Sequence, residues 1–158
     1  MNMNKVFDYD NKRLYLETVA KPIFDLSLRG RIVIIGGDSG KGKTMLCNRI
    51  IEMQALSKTS SAVPYVANIK VFTESAALDL DSIKSLSKYL IIIDEADVLL
   101  ANASEIVDFI NHDYENNQYL VFSRGLIPLK VTPNYCADFE ENDQIITLKY
   151  AADIKGWF

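Results

Sequence analysis

An apolar run, Arg31-Ile32-Val33-Ile34-Ile35, leads without a break into Gly36-Gly37-Asp38-Ser39-Gly40-Lys41-Gly42-Lys43-Thr44. From Gly37 the spacing is G-x-x-x-x-G-K-[ST], that of a phosphate-binding loop. A polyphosphate is several negative charges on one chain, and backbone N–H groups must come close to hold it. Gly37, Gly40 and Gly42 supply that closeness, and glycine tolerates the left-handed angles of an amide nest. Asp38, Ser39 and Lys41 complete the loop, with Lys41 read either as a phosphate contact or as a solvated lysine. Lys43 reaches the β- and γ-phosphates and the Thr44 hydroxyl ligates Mg²⁺ in such a loop. The amides at the start of the following helix face the same anion.

The loop has meaning only between a strand and a helix. Arg31–Ile35 has the β-branched composition of a strand buried on both faces. After Lys43, the apolar residues Leu46, Ile50, Met53 and Leu56 recur at helical spacing, which predicts a helix to about Ser57. Further along, 64–73, 89–93, 119–122 and 145–150 read as strands, and 81–88 and 103–114 as helices. Asp81 is the expected cap of the first of these. Arg13–Val19 reads as a short strand, Pro22 to Gly30 as a lead-in turn and Glu140–Asp143 as a polar spacer. Alternating strands and helices predict an α/β fold: a three-layer, mostly parallel sheet with helices on both faces. The chain reads as one domain over 1–158, with a lead-in at 1–30, a core at 31–150 and an apolar tail at 151–158.

Two further motifs follow strands. Leu90-Ile91-Ile92-Ile93 ends in Asp94-Glu95, the pattern of a Walker B strand. Asp94 is placed to hold the hydration shell of Mg²⁺, and Glu95 to orient and deprotonate an attacking water. The strand at 119–122 ends in Ser123-Arg124-Gly125. In a sheet ordered 5-1-4-3-2, Ser123 falls between the two earlier motifs, in reach of the γ-phosphate or the lytic water. Arg124 reads either as a phosphate contact, in its own subunit or a neighbour's, or as a surface arginine beside a loop glycine.

Composition narrows the partners. The 158 residues carry a formal charge of −4, which argues against a broadly basic nucleic-acid surface but leaves a local patch open. Two distant cysteines, Cys47 and Cys136, show no metal spacing and point to reduced thiols in a cytoplasmic setting. The one histidine, His112, reads as a surface residue. No stretch approaches the roughly 20 apolar residues of a membrane helix.

The three motifs, in this order, resemble the additional-strand, catalytic-glutamate division of P-loop NTPases, which includes AAA+, RecA-like and ABC ATPases. The resemblance covers about residues 31–150. It implies a P-loop NTPase core, ATP with Mg²⁺, cleavage of the β–γ phosphoanhydride and assembly into dimers or rings. The chain also looks like small uncharacterised ATP-binding proteins of bacteria or their phages. Several family parts are missing: no LSGGQ-like segment, no helical lid after the last strand. Asp94-Glu95-Ala96-Asp97 spells a helicase box, but paired RecA-like domains need a longer chain. An upstream aromatic stacks on adenine in ABC domains, and Tyr9 or Tyr15 would be its counterpart.

The reading is therefore an ATP-binding protein with Mg²⁺-dependent hydrolysis. Two alternatives stand beside it. One is a nucleotide-dependent switch, with Trp157 and Phe158 of the tail as anchors for a second copy or a larger protein. The other is a small-molecule kinase. A guanine-selective [NT]-K-x-D motif is absent, since Asn68-Ile69-Lys70-Val71 does not match.

Overall fold

Three short runs with almost no exposed residue form the middle of the sheet: β4 (Ile32–Ile35), β6 (Leu90–Ile93) and β7 (Gln118–Phe122). They come from a computed structural model that describes residues 5–36, 41–59, 65–74, 78–131 and 135–151. Gly37, Asp38, Ser39, Gly40, the side chain of Lys41 and the tail from 152 onward lie outside the described residues. The other strands are β1 (Phe7–Asp8), β2 (Arg13–Leu16), β3 (Ile23–Ser27), β5 (Ile69–Phe72), β8 (Cys136–Asn142) and β9 (Ile145–Tyr150). The helices are α1 (Lys41–Leu56), α2 (Leu80–Lys84), α3 (Ala96–Leu99) and α4 (Ser104–His112).

All nine strands join one sheet in the order β1-β2-β3-β9-β8-β4-β7-β6-β5. From β8 to β5 the neighbours run parallel. The pairs β1–β2, β2–β3 and β8–β9 are antiparallel. The two edges nearly meet: Lys5 bridges Tyr65, Val6 N–H donates to Tyr65 O at 3.0 Å, and Asn68 Nδ2 donates to Phe7 O at 2.9 Å. The sheet therefore curls into a nearly closed barrel.

This corrects the expected fold class. A three-layer, mostly parallel α/β sandwich in the order 5-1-4-3-2 does not describe a nine-stranded mixed sheet curled on itself. The physical reason lies in segments read as lead-in and spacer. β2 and β3 alternate, with Leu14, Leu16, Phe24 and Leu26 fully buried. That apolar face closes over α1, packing on its Leu46, Cys47, Ile50 and Met53. Strong twist in a narrow antiparallel meander favours this wrapping. A second cluster on the sheet's other face holds most of the apolar residues of α2, α3 and α4. Leu56, the last residue of the expected apolar stripe, is 53% exposed instead.

Local chemistry sets the ends of these elements. Asp79, not Asp81, caps α2, accepting from Ser82 N at 2.9 Å and Ser82 Oγ at 2.8 Å. β8 and β9 join through Asp143 and Gln144, both at positive φ (52° and 65°), as a tight two-residue hairpin turn requires. At the far end of the sheet, the Arg31 guanidinium donates to the carbonyls of Ile110, Asn111 and Asp113, satisfying the last turn of α4. No described helix is long and apolar enough to cross a membrane.

Gly42 sits in the first turn of α1, and its role is close approach. A Cβ built there stands 2.7 Å from Phe139 Cδ2. Phe139 is itself wedged edge-on between Phe24 and Phe122, with centroids 6.1 and 5.9 Å away. Overpacking of about 1–3 kcal/mol outweighs the gain of about 1 kcal/mol from alanine's helix preference. Gly42→Ala is therefore expected to lose up to about 2 kcal/mol in chemical denaturation. A Cβ built on Gly36 meets nothing within 4 Å, so Gly36→Ala is expected to stay within about 0.5 kcal/mol of wild type. Equal midpoints for all three proteins would contradict this account of Gly42.

Candidate functional site

The carboxyl ends of β4, β6 and β7 open into one cleft, where ligands of parallel sheets are expected to sit. Its walls are Lys43 and Thr44 from α1, Asp94 and Glu95 after β6, and Phe122, Ser123 and Arg124 from the end of β7. Six residues selected from sequence thus share one small space. Gly42 is near but buttresses Phe139 rather than lining it.

The cleft, which is partly open to solvent, has a volume of about 50 Å³. That suits a phosphoryl group or a few waters and falls well short of the roughly 300–1,000 Å³ of a pocket for a whole drug-sized ligand. A larger hollow of about 540 Å³ lies between α4 and the segment Pro128–Lys130, with Leu100, Val107 and Asn111 in its walls. Its size does not make it the site, because the paired carboxylates and the buried ammonium are all in the smaller cleft.

Lys43 is the charged group the fold covers most at the cleft, only 7% exposed. Its Nζ donates to Gly36 O at 3.1 Å, which folds the side chain back over the end of β4. Keeping an ammonium out of water is unfavourable unless negative groups face it. Across the cleft stand Asp94 and Glu95.

Asp94 ends β6. Its N–H donates to Phe72 O at 2.9 Å, which holds the backbone in the sheet. Its Oδ1 accepts from Glu95 N–H at 2.9 Å, and the residue lines the cleft. Glu95 has φ 50° and ψ 47°, the left-handed region that disfavours a side chain with a Cβ. Its carbonyl then accepts from Val98 N and Leu99 N at 2.9 and 3.0 Å, starting α3. A strained turn of this kind redirects a side chain out of the strand's line.

Ser123 is buried, and its Oγ donates to Gly125 O at 2.7 Å and accepts from Gly125 N–H at 3.3 Å. With its proton engaged in the turn, Ser123 offers a lone pair, suited to receiving a bond from water rather than donating one to phosphate. Arg124 is exposed at the rim, and its main-chain N–H donates to Asp97 Oδ1 at 3.4 Å. Tyr9 donates from its hydroxyl to Glu115 O at 2.8 Å, before the start of β7 and so at the opposite strand end from the cleft. Tyr15 bonds to Glu17 at 3.1 Å, and neither tyrosine lines the cleft.

The chain matches no family model, no curated protein and no solved structure. The expected membership in the catalytic-glutamate division of P-loop NTPases therefore does not hold: no family match supports it, and the curled mixed sheet departs from the sandwich it implied. What this protein does follows from the chemistry of the cleft, not from its fold.

Sequence reasoning missed three parts of this site. Phe122 floors it, Phe139 presses on the start of α1, and Asp97 meets the Arg124 turn. Phe122 is hidden as the last residue of an apolar strand. Phe139 is hidden inside the polar stretch of β8. Asp97 has one signal, its place three residues after Asp94.

Cys47 lies one turn beyond Thr44 and is buried. Burial, aided by the Asp94 carboxylate, pushes its thiol up to about 12. Burial also raises Cys136. Native protein at pH 8 is expected to resist iodoacetamide at Cys47, with modification there appearing only on unfolding. The folded thiol of Cys47 holds its proton more tightly than an unfolded one near 9.0, so its contribution to stability is complete below about pH 9 and is lost toward about 12. Rapid labelling of Cys47 in the folded protein, read by mass, would contradict this placement.

Proposed function

We propose that the cleft binds the polyphosphate of ATP with Mg²⁺ and hydrolyses its terminal phosphoanhydride. The observation that supports this reading is the convergence of Lys43, Thr44, Asp94, Glu95 and Arg124, drawn from three separate chain segments, on one opening. An ammonium, a hydroxyl, two carboxylates and a guanidinium form the set that phosphoryl transfer calls for. The small volume suits the phosphates, with the nucleoside lying outside.

The donor set also fits Mg²⁺, which prefers a few hard oxygen ligands and keeps several waters. Thr44 Oγ1 and the Asp94 carboxylate would hold it beside the phosphates, where it would neutralise charge on the β- and γ-oxygens. Among the described residues no cluster of three or more His, Cys, Asp or Glu offers a competing all-protein cage.

In the proposed reaction, Lys43 and the amides at the start of α1 hold the β- and γ-phosphates in line. Glu95 accepts a proton from a water as its oxygen bonds to the γ-phosphorus. The bond from that phosphorus to the β–γ bridging oxygen breaks, and ADP and phosphate leave. Ser123 accepts a hydrogen bond from the water, and Arg124 meets charge growing on the γ-oxygens. A cytoplasmic setting, where both thiols stay reduced and ATP is plentiful, goes with this reading.

Purified protein is expected to release phosphate from ATP, and to stop when EDTA removes the metal. Release that is indifferent to EDTA would count against the metal site. One feature favours a second reading. Val98, 66% exposed, and the fully exposed Leu126 sit beside the two turns that flank the cleft. Nucleotide would then order these turns for a partner, with little turnover.

A further inference from the structure

Building on the reading of the cleft as a phosphoryl-transfer site, we propose that Asp97 is a positioning residue that ties the turn carrying Arg124 to the turn carrying Glu95. The two turns leave neighbouring parallel strands, β7 and β6, and form facing walls of the cleft. The Arg124 turn closes on itself through the two bonds between Ser123 Oγ and Gly125. On its β4 side it is anchored by Ser123 N–H donating to Ile35 O at 3.1 Å. On its β6 side it is anchored by Arg124 N–H donating to Asp97 Oδ1 at 3.4 Å.

Gly125 adds a second contact to the same side chain. A Cβ built on Gly125 stands 3.8 Å from both Asp97 Cβ and Asp97 Oδ2, so the turn lies flush against Asp97. Asp97 itself stands two residues past Glu95, in the short helix whose amides bond back to the Glu95 carbonyl. One side chain thus links the short helix that follows Glu95 to the backbone of the turn that carries Arg124 on the opposite wall. The bond is long, and its importance comes from where it lies: it spans the cleft's two walls. Asp97 touches no reacting atom in this arrangement and acts through its neighbours.

The role needs an acceptor oxygen at Oδ1 and not a charge, which separates asparagine from alanine. The test is steady-state ATP hydrolysis by the full chain as wild type, Asp97→Asn, Asp97→Ala, Arg124→Ala and the Asp97→Ala/Arg124→Ala double variant. Amide hydrogen exchange at Arg124 is followed in parallel. Misplacement of a reacting group by about 1 Å can slow a reaction roughly 10²-fold. Asp97→Ala is expected to lower kcat at least about tenfold while KM for ATP stays within about twofold, the pattern of lost transition-state positioning. Asp97→Asn is expected to keep most of the activity. The double variant is expected to be no slower than Arg124→Ala alone, because both changes remove one unit. Exchange at the Arg124 amide is expected to quicken in Asp97→Ala and not in Asp97→Asn. An unchanged kcat in Asp97→Ala, an asparagine variant as slow as the alanine one, or strict additivity in the double variant overturns the link. Failure of the wild type to release phosphate overturns the reading of the cleft, and the inference falls with it. In that event exchange at Arg124 still shows whether the bond itself exists.

Discussion

Lys43→Ala is expected to weaken binding of magnesium–ATP by roughly 10²-fold or more, about 3 kcal/mol. The ammonium is covered by the fold, held by Gly36 O at 3.1 Å and placed among the cleft residues. A cation covered in this way attracts phosphate oxygens more strongly than one in open water. Its removal is expected to leave the melting temperature within about 3 °C of wild type. Affinity and stability move apart in this variant. A purely structural lysine gives the opposite pattern, a lower melting temperature with affinity intact.

Glu95→Gln is expected to reduce phosphate release by roughly 10²–10⁴-fold, the range for loss of a general base. Glutamine keeps the size and reach of the side chain but cannot take the proton. Nucleotide affinity should stay within a few-fold, because the loop and Lys43 are untouched. Backbone geometry sharpens the test. Glu95 stands at φ 50°, where a non-glycine residue costs about 1–2 kcal/mol. Glu95→Gly should release part of that strain and hold or raise stability, by up to about 1 kcal/mol, while turnover is lost. Equal release by wild type and Glu95→Gln, measured under single-turnover conditions, removes Glu95 from the role of base.

The strands that carry the cleft are legible in the sequence because burial on both faces leaves a continuous apolar run. β4, β6 and β7 fall on 31–35, 89–93 and 119–122, and α1 and α4 fall on the two apolar stripes that have helical spacing. The residues at their ends are legible for the same reason: polar groups directly after such a run must emerge at a strand end. The wrapping is not legible. β3 runs Ile-Phe-Asp-Leu-Ser behind Pro22, a five-residue alternation short enough to pass for a turn. β8 runs Cys-Ala-Asp-Phe-Glu-Glu-Asn, and its acidic outer face masks the inward Ala137 and Phe139. Its turn residues, Asp143 and Gln144, lack the glycine that announces a tight hairpin. These segments make the sheet mixed and bring its edges together, so the architecture turns on the weakest signals in the chain.

Glycine gives a similar lesson on a smaller scale. The motif makes Gly42 a nest residue, yet it lies in α1, where Phe139 leaves no room for a Cβ. A motif can fix which residue stands at a position without revealing which contact requires it.

The most direct test of the phosphate site is a calorimetric titration of magnesium–ATP into the wild-type protein and into Lys43→Ala. A covered ammonium at the phosphate site predicts saturable heat at one site in the wild type, and affinity lower by roughly 10²-fold in the variant with its melting temperature nearly unchanged. No heat in the wild type, or the same affinity in both proteins, would contradict it.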